Sequence, residues 1–321
     1  MRLSLLDRSR TRAGRPDAEG VTGTVARAVH AETVGYERFW VAEHHAVPGI
    51  ASGAPAVLLA AVGAATSRIR IGSGGVMLPH HQPFVVAEQF RVLEALHPGR
   101  VDLGLGRSLG FTAPVRRALR HEADAPDTFE ADLLELRGYL EGTAALTVRP
   151  ATAPVPMHVL ATGRGLRLAA GLGLPVVLGG PILDDPDVGE ALAAYRRDFR
   201  PHRGSAAGVT VSLDVTVAAD DATARELALP EAWAMARSRQ TGEFPPLESP
   251  RDIRSQPWPD QVRRRVDASL ERAVAGGPAT VRRALGRLAE RTQADELMAS
   301  TSTYDREALL ASDAALRDLV G

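Results

Sequence analysis

The stretch "RFWVAEHHAVPGIASGAPA", residues 38–56, sets Glu43, His44 and His45 at the close of an apolar run. Imidazole changes charge near neutral pH, so His44 at the end of a buried strand can serve as a general base or donate a hydrogen bond to a reacting oxygen. The plainer reading is a histidine satisfied by its neighbours. His80 and His81, in "LPHHQP", read as a solvated turn before a helix. The four histidines are not read as a metal cluster, because no carboxylate falls at a familiar ligand spacing such as HExxH.

Three other stretches could do chemistry. "GSGGV" puts Ser73, Gly74 and Gly75 inside an aliphatic strand, which fits either close backbone approach to a flat ligand or a bulge in a crowded interior. Arg107, after "LGLG", could clamp a phosphate with its planar fork or pair with a carboxylate. In "VLATGRGLRLAAGLGLP", a strand gives way to Thr162, Gly163, Arg164 and Gly165 and then to a helix from near Leu166. Free N–H groups, a hydroxyl and an arginine make an anion site there, unless the stretch is an ordinary glycine-containing turn.

Composition removes several function classes. The 321 residues carry 38 basic side chains, all arginine, and no cysteine. Schiff-base chemistry on lysine, thiolate catalysis, disulfides and cysteine–metal sites are therefore excluded. A formal charge of -1 gives no electrostatic reason to expect nucleic acid or an anionic membrane as partner. The longest apolar stretches are too short to span a bilayer, and no signal-type core follows Arg2, Arg8 and Arg10, so a cytoplasmic protein acting on a small molecule is expected.

What positions these residues is an alternation of strands and helices. "RLSLLD", "ERFWVAEHH", "IRIGSGGVML", "GRVDLGLG", "MHVLAT", "PVVLGG", "VTVSLDVTVAA" and "DELMASTST" make eight strand candidates. Helical patterns over 21–34, 54–66, from Pro83, over 114–140, to Leu172, and over 221–240 and 278–292 separate them. Eight such units predict a closed (β/α)8 TIM barrel over residues 1–321, with the chemistry at the carboxyl ends of the strands. The open doubly wound sheet is disfavoured by the lack of GxGxxG at the first strand-to-helix turn. Residues 240–261, with five prolines, are expected to form an irregular mobile lid or insertion.

"FWVAEHH…PGIASGAPAV", "TSRIRIGSGGVMLPHHQPFVVAEQF", "LHPGRVDLGLGRS", "AAGLGLP" and "ADELMASTSTYD", in that order, resemble the bacterial luciferase-like flavin-dependent monooxygenases. The resemblance implies a barrel holding reduced FMN (FMNH2), O2 as co-substrate, a separate flavin reductase, and oxidation of a small apolar or aromatic molecule through a peroxyflavin. It implies that His44 is the catalytic base or peroxyflavin stabiliser. Ser73–Gly75 would be the bulge, often with a non-prolyl cis peptide, under the flavin ring, and Arg107 would reach its phosphate. Thr162–Gly165 departs from the family's serine-rich phosphate loop by lacking a hydroxyl at 165, and the missing cysteine removes any ground for inferring luminescence. Helices 54–66 and 83–97 suggest a homodimer surface. A deazaflavin-dependent oxidoreductase and a non-catalytic flavin-binding protein are the competing readings.

Overall fold

The computed structural model describes residues 1–109, 112–120 and 126–321. Eight parallel strands close into a barrel in the order β1-β10-β7-β6-β5-β4-β3-β2, as the alternation predicts. In chain order the elements are β1 (Arg2–Asp7), α1 (Ala18–Val34), β2 (Arg38–Val41), α2 (Pro55–Ala65), β3 (Arg70–Met77), α3 (Pro83–Leu96), β4 (Val101–Gly106), α4 (Ala113–Ala118), α5 (Phe129–Glu141), β5 (Met157–Ala161), α6 (Arg164–Leu172) and β6 (Val176–Gly179). Then follow α7 (Val188–Asp198), β7 (Val209–Leu213), β8 (Val215–Val217), α8 (Asp221–Thr241), α9 (Pro250–Ser255), α10 (Asp260–Arg272), β9 (Val274–Gly276), α11 (Pro278–Thr292), β10 (Glu296–Ala299) and α12 (Arg306–Val320). Single 3-10 turns occupy Leu78–His80 and Gly180–Asp184.

Pro55, Pro83 and Pro278 each open a helix, where a missing N–H costs least. Gly35 closes α1 at φ 93°, a conformation that suits a residue without Cβ. Four expectations need correction. "VTVSLDVTVAA" is two strands: β7 joins the barrel, whereas β8 leaves it to pair with β9 in a separate two-stranded sheet. Helix α7 went unread because "VGEALAAYRRD" follows an Asp/Pro-rich turn. The 114–140 helix is α4 and α5, with residues 121–125 between them outside the described set. The 240–261 segment is not wholly irregular: Ser249 caps α9 by accepting the Asp252 N–H, and α10 begins within it.

Strand alternation sorts the side chains. Phe39, Ile71, Leu103 and Val211 point outward into the shell between sheet and helices, where burial of each large side chain contributes about 2 kcal/mol. Inside, the amino end of the barrel is sealed by charge: Arg38 donates to Asp102 at 3.0 Å and also pairs with Glu296, and Arg70 donates to Asp102. Above this layer Trp40 packs with Val177 and Met298, flanked by Leu6 and Leu160. Its indole meets His158 edge-on at 5.2 Å. Trp40 thus lies between this charged layer and the carboxyl rim.

Candidate functional site

The rim is built from the residues just beyond each strand. Glu43, His44 and His45 lie past Val41, where β2 ends, and so stand on the rim rather than within the ladder. The loop they begin is tied to itself: His44 N–H donates to Ser52 O at 2.8 Å, and Ser52 Oγ donates to Ala42 O at 2.7 Å. This fixes the backbone at residue 44. His44 is half-buried, and burial, followed by the charges of Arg8 and Arg10, lowers its pKa to about 4. Its imidazole is neutral at physiological pH.

Those arginines form a cluster that sequence reasoning missed. Arg10 donates to Glu231 at 3.0 Å, and Arg8 reaches Glu231 at 3.2 Å and Asp214 at 3.0 Å. Burial opposes the charge on Glu231, but Arg10 and Arg8 outweigh it and its pKa falls. Asp214, at the end of β7, is pushed up by burial. Glu231 lies in the middle of α8, about 220 residues from its partners, and no local pattern signals it. Arg8 directly follows Asp7 at the end of β1, which is the one clue the sequence offers.

Glu43 binds both neighbouring loops together. Its Oε1 lies 2.6 Å from His45 Nε2 and 2.6 Å from His81 Nε2, and its Oε2 accepts the Met77 N–H at 2.9 Å. Burial works against the carboxylate, yet the hydrogen bonds from His45 and His81 hold its pKa at about 2. His81 is therefore no solvated turn residue. His80 packs edge-on to His45, with ring centroids 6.3 Å apart.

At β3, Ser73 to Gly75 form a bulge: register against β4 shifts between Ser73 and Val76, and the Gly74–Gly75 peptide is cis. The bulge reading of the small residues is borne out. A Cβ at Gly72 would lie 2.5 Å from Trp40 Nε1, and one at Gly74 would meet Leu6 and Trp40, so the glycines mould the strand around the indole.

The expected phosphate groups are spread along the rim. Arg107 is exposed and pairs with Asp127. Thr162, Gly163 and Arg164 are exposed at the start of α6, which begins at Arg164, two residues earlier than the spacing suggests. Gly165 N–H and Leu166 N–H are used within the turn, by Thr162 O and Gly163 O. Gly165 lies inside the first turn, where a Cβ would come within 3.3 Å of Ala161 Cβ. The absent hydroxyl thus reflects a crowded position.

The segment 240–261 meets the rim beside His44. Leu247 exchanges backbone hydrogen bonds with Thr11 and Ala13, Gly49 N–H donates to Phe244 O at 2.8 Å, and the Arg10 guanidinium lies 4.4 Å from the Phe244 ring centroid.

Comparison with known proteins places this geometry. The family model described as luciferase-like monooxygenase matches residues 1–296. The chain belongs to the luciferase-like monooxygenases. A luciferase-like monooxygenase of Escherichia coli (strain K12) is 36% identical over 322 residues, covering 97% of this chain and 94% of that one. The N-acetyl-S-alkylcysteine monooxygenase of Bacillus subtilis is 40% identical over 212 residues, 63% of each chain. The solved structure of apo-MsnO8 superposes with a TM-score of 0.89 at 32% identity, covering 99% of this chain and 98% of that one. At 19% and 14% identity the same fold carries FMN in the oxygenating constituent of a 3,6-diketocamphane monooxygenase, and an F420–acetone adduct in a secondary alcohol dehydrogenase. This luciferase-like monooxygenase is accordingly an oxidoreductase built on the (β/α)8 barrel, and no helix among its described residues is long and apolar enough to cross a membrane.

Proposed function

We propose that this luciferase-like monooxygenase is the oxygenase of a two-component system, in which a separate reductase delivers FMNH2 and the barrel uses it with O2 to oxidise a small apolar or aromatic molecule. The observation that carries the reading is His44, a neutral imidazole held by a folded loop on the same rim as the β3 bulge and the exposed turn that opens α6. The donor set fits FMN: Ser73, Gly74 and Gly75 offer a flat berth above Trp40, and Thr162, Gly163, Arg164, Gly165 and Arg107 suit a phosphate. Reduced flavin supplies the electrons that activate O2.

The chain's own residues do the rest. His44 holds or moves a proton at its ring nitrogens, a role for which a neutral imidazole is ready. Trp40 closes the pocket from below, and the 240–261 segment, pinned beside Gly49, acts as a lid that excludes water. The barrel pairs as a homodimer through α2 and α3, whose Val57 and Leu96 are 73% and 60% exposed.

The test is anaerobic binding of photoreduced FMN followed by mixing with O2. Tight binding and an absorbance phase distinct from free flavin reoxidation are expected. Free-flavin kinetics in the presence of saturating protein would refute the proposal.

A further inference from the structure

Asp7, Asp102, Glu231, Glu296 and Asp313 are buried, and each pairs with at least one arginine. Glu43 is different. Its carboxylate is fully buried, and the groups that reach it are two imidazoles and one backbone N–H. A buried anion needs a positive or strongly donating counterpart. Here two Nε2 atoms stand 2.6 Å from the same carboxylate oxygen, and the three ligand atoms lie within 4.8 Å of one another. Without an ion the two Nε2–H groups donate to this oxygen; an ion would shift each ring hydrogen to Nδ1 and turn three lone pairs toward a single point.

We propose that Glu43 Oε1, His45 Nε2 and His81 Nε2 form a binding site for a divalent transition ion of the zinc class. Two imidazoles and one carboxylate match the ligands such ions take, whereas calcium and magnesium prefer all-oxygen sites. The carboxylate is already oriented by the Met77 N–H, the kind of outer support that metal-ligating carboxylates usually have. His45 and His81 side chains are 20% and 26% exposed, which gives the ion an approach and a water the fourth position. Bond lengths of about 2.0–2.1 Å in a tetrahedral site put ligand atoms about 3.3 Å apart. Small rotations of the two histidines supply that opening. The ion joins the loop after β2 to the turn after β3, and its binding does not depend on flavin.

The experiment uses the untagged full chain after dialysis against chelator, titrated with ZnCl2 by calorimetry and with CoCl2 by visible absorbance, no flavin present. One ion per chain at micromolar affinity or tighter is expected, with ligand-field bands for cobalt. His81→Ala and the hydrogen-bonding variant His81→Gln should each weaken binding at least tenfold while far-UV circular dichroism shows an intact fold. His202→Ala removes another close imidazole–carboxylate contact, His202 to Glu141 at 2.7 Å, and should leave binding unchanged. No heat from zinc, equal affinity in a folded His81 variant, or loss in His202→Ala instead would overturn the assignment.

Discussion

Two glycines on one strand should respond oppositely to the same substitution. A Cβ at Gly104 would stand closer than 3.0 Å to the Ser73 carbonyl oxygen and 2.8 Å from Trp40 Cζ3, and the first of these is backbone that cannot rotate away. At Gly106 the nearest atom is Val76 O at 3.8 Å, an ordinary contact. Overpacking a filled core costs about 1–3 kcal/mol, and the upper end applies where backbone must move. Alanine at an uncrowded position instead gains about 0.5 kcal/mol by restricting the unfolded chain. Gly104→Ala and Gly106→Ala should therefore differ by roughly 3 kcal/mol, a melting-temperature gap of about 5 °C for a chain of this length. Calorimetry gives the gap, and a change in near-ultraviolet circular dichroism that is absent from a Trp40→Phe background reports whether the indole has shifted. FMN affinity should fall with Gly104→Ala alone, because a displaced Trp40 rises toward the rim. Equal melting temperatures for the two variants would refute the view that the glycines of β3 and β4 mould the strands around Trp40.

Other substitutions test the rim. His44→Ala should lower turnover at least about 100-fold while changing FMN affinity little, as steady-state kinetics and fluorescence titration would show; equal losses in both would make residue 44 structural. Arg107→Ala and Arg164→Ala should each weaken FMN about tenfold and riboflavin hardly at all, since a charge-assisted hydrogen bond to phosphate contributes about 1.5 kcal/mol; identical losses for both ligands would contradict a phosphate role. Glu231→Gln strands Arg10, whose side chain is 4% exposed, and should cost about 3 kcal/mol in urea unfolding. Glu32 accepts the backbone N–H groups of Ser67, Arg68 and Ile69, and although partial burial opposes its charge, these bonds hold its pKa at about 2 against an ordinary 4.5. A depressed carboxyl stabilises the fold above pH 4.5 and loses that contribution as pH falls toward 2. Glu32→Gln should thus cost about 1 kcal/mol at pH 7, after allowance for solvent screening, and progressively less as pH falls from 4.5 through 2. A pH-independent difference would refute the assignment.

The barrel was legible because its signals are local: aliphatic runs closed by glycine or a charge, and proline at helix starts, repeat at intervals that only a parallel sheet with helices outside accommodates. Legibility stopped where a residue's role depends on a partner far along the chain. "VTVSLDVTVAA" is uniformly strand-like, yet its second half follows β9, sixty residues on, rather than β10. His81 looked solvated because nothing nearby in sequence marks Glu43, 38 positions earlier, as its acceptor. Nothing near Arg8 and Arg10 in the sequence marks their partner, because Glu231 belongs to α8. Gly72 and Gly74 were ambiguous for the same reason: the indole they enclose comes from another strand. His44 itself was found because position at a strand end is readable, whereas its neutrality depends on burial and on arginines that only the fold brings near. Chemistry on this rim is thus announced by strand ends and tuned by long-range pairs. Substitutions at Glu231 or Trp40 should therefore alter the site as surely as changes at residue 44, although Glu231 stands in no motif that marks it and nothing local to Trp40 shows that its indole fills the barrel beneath the rim.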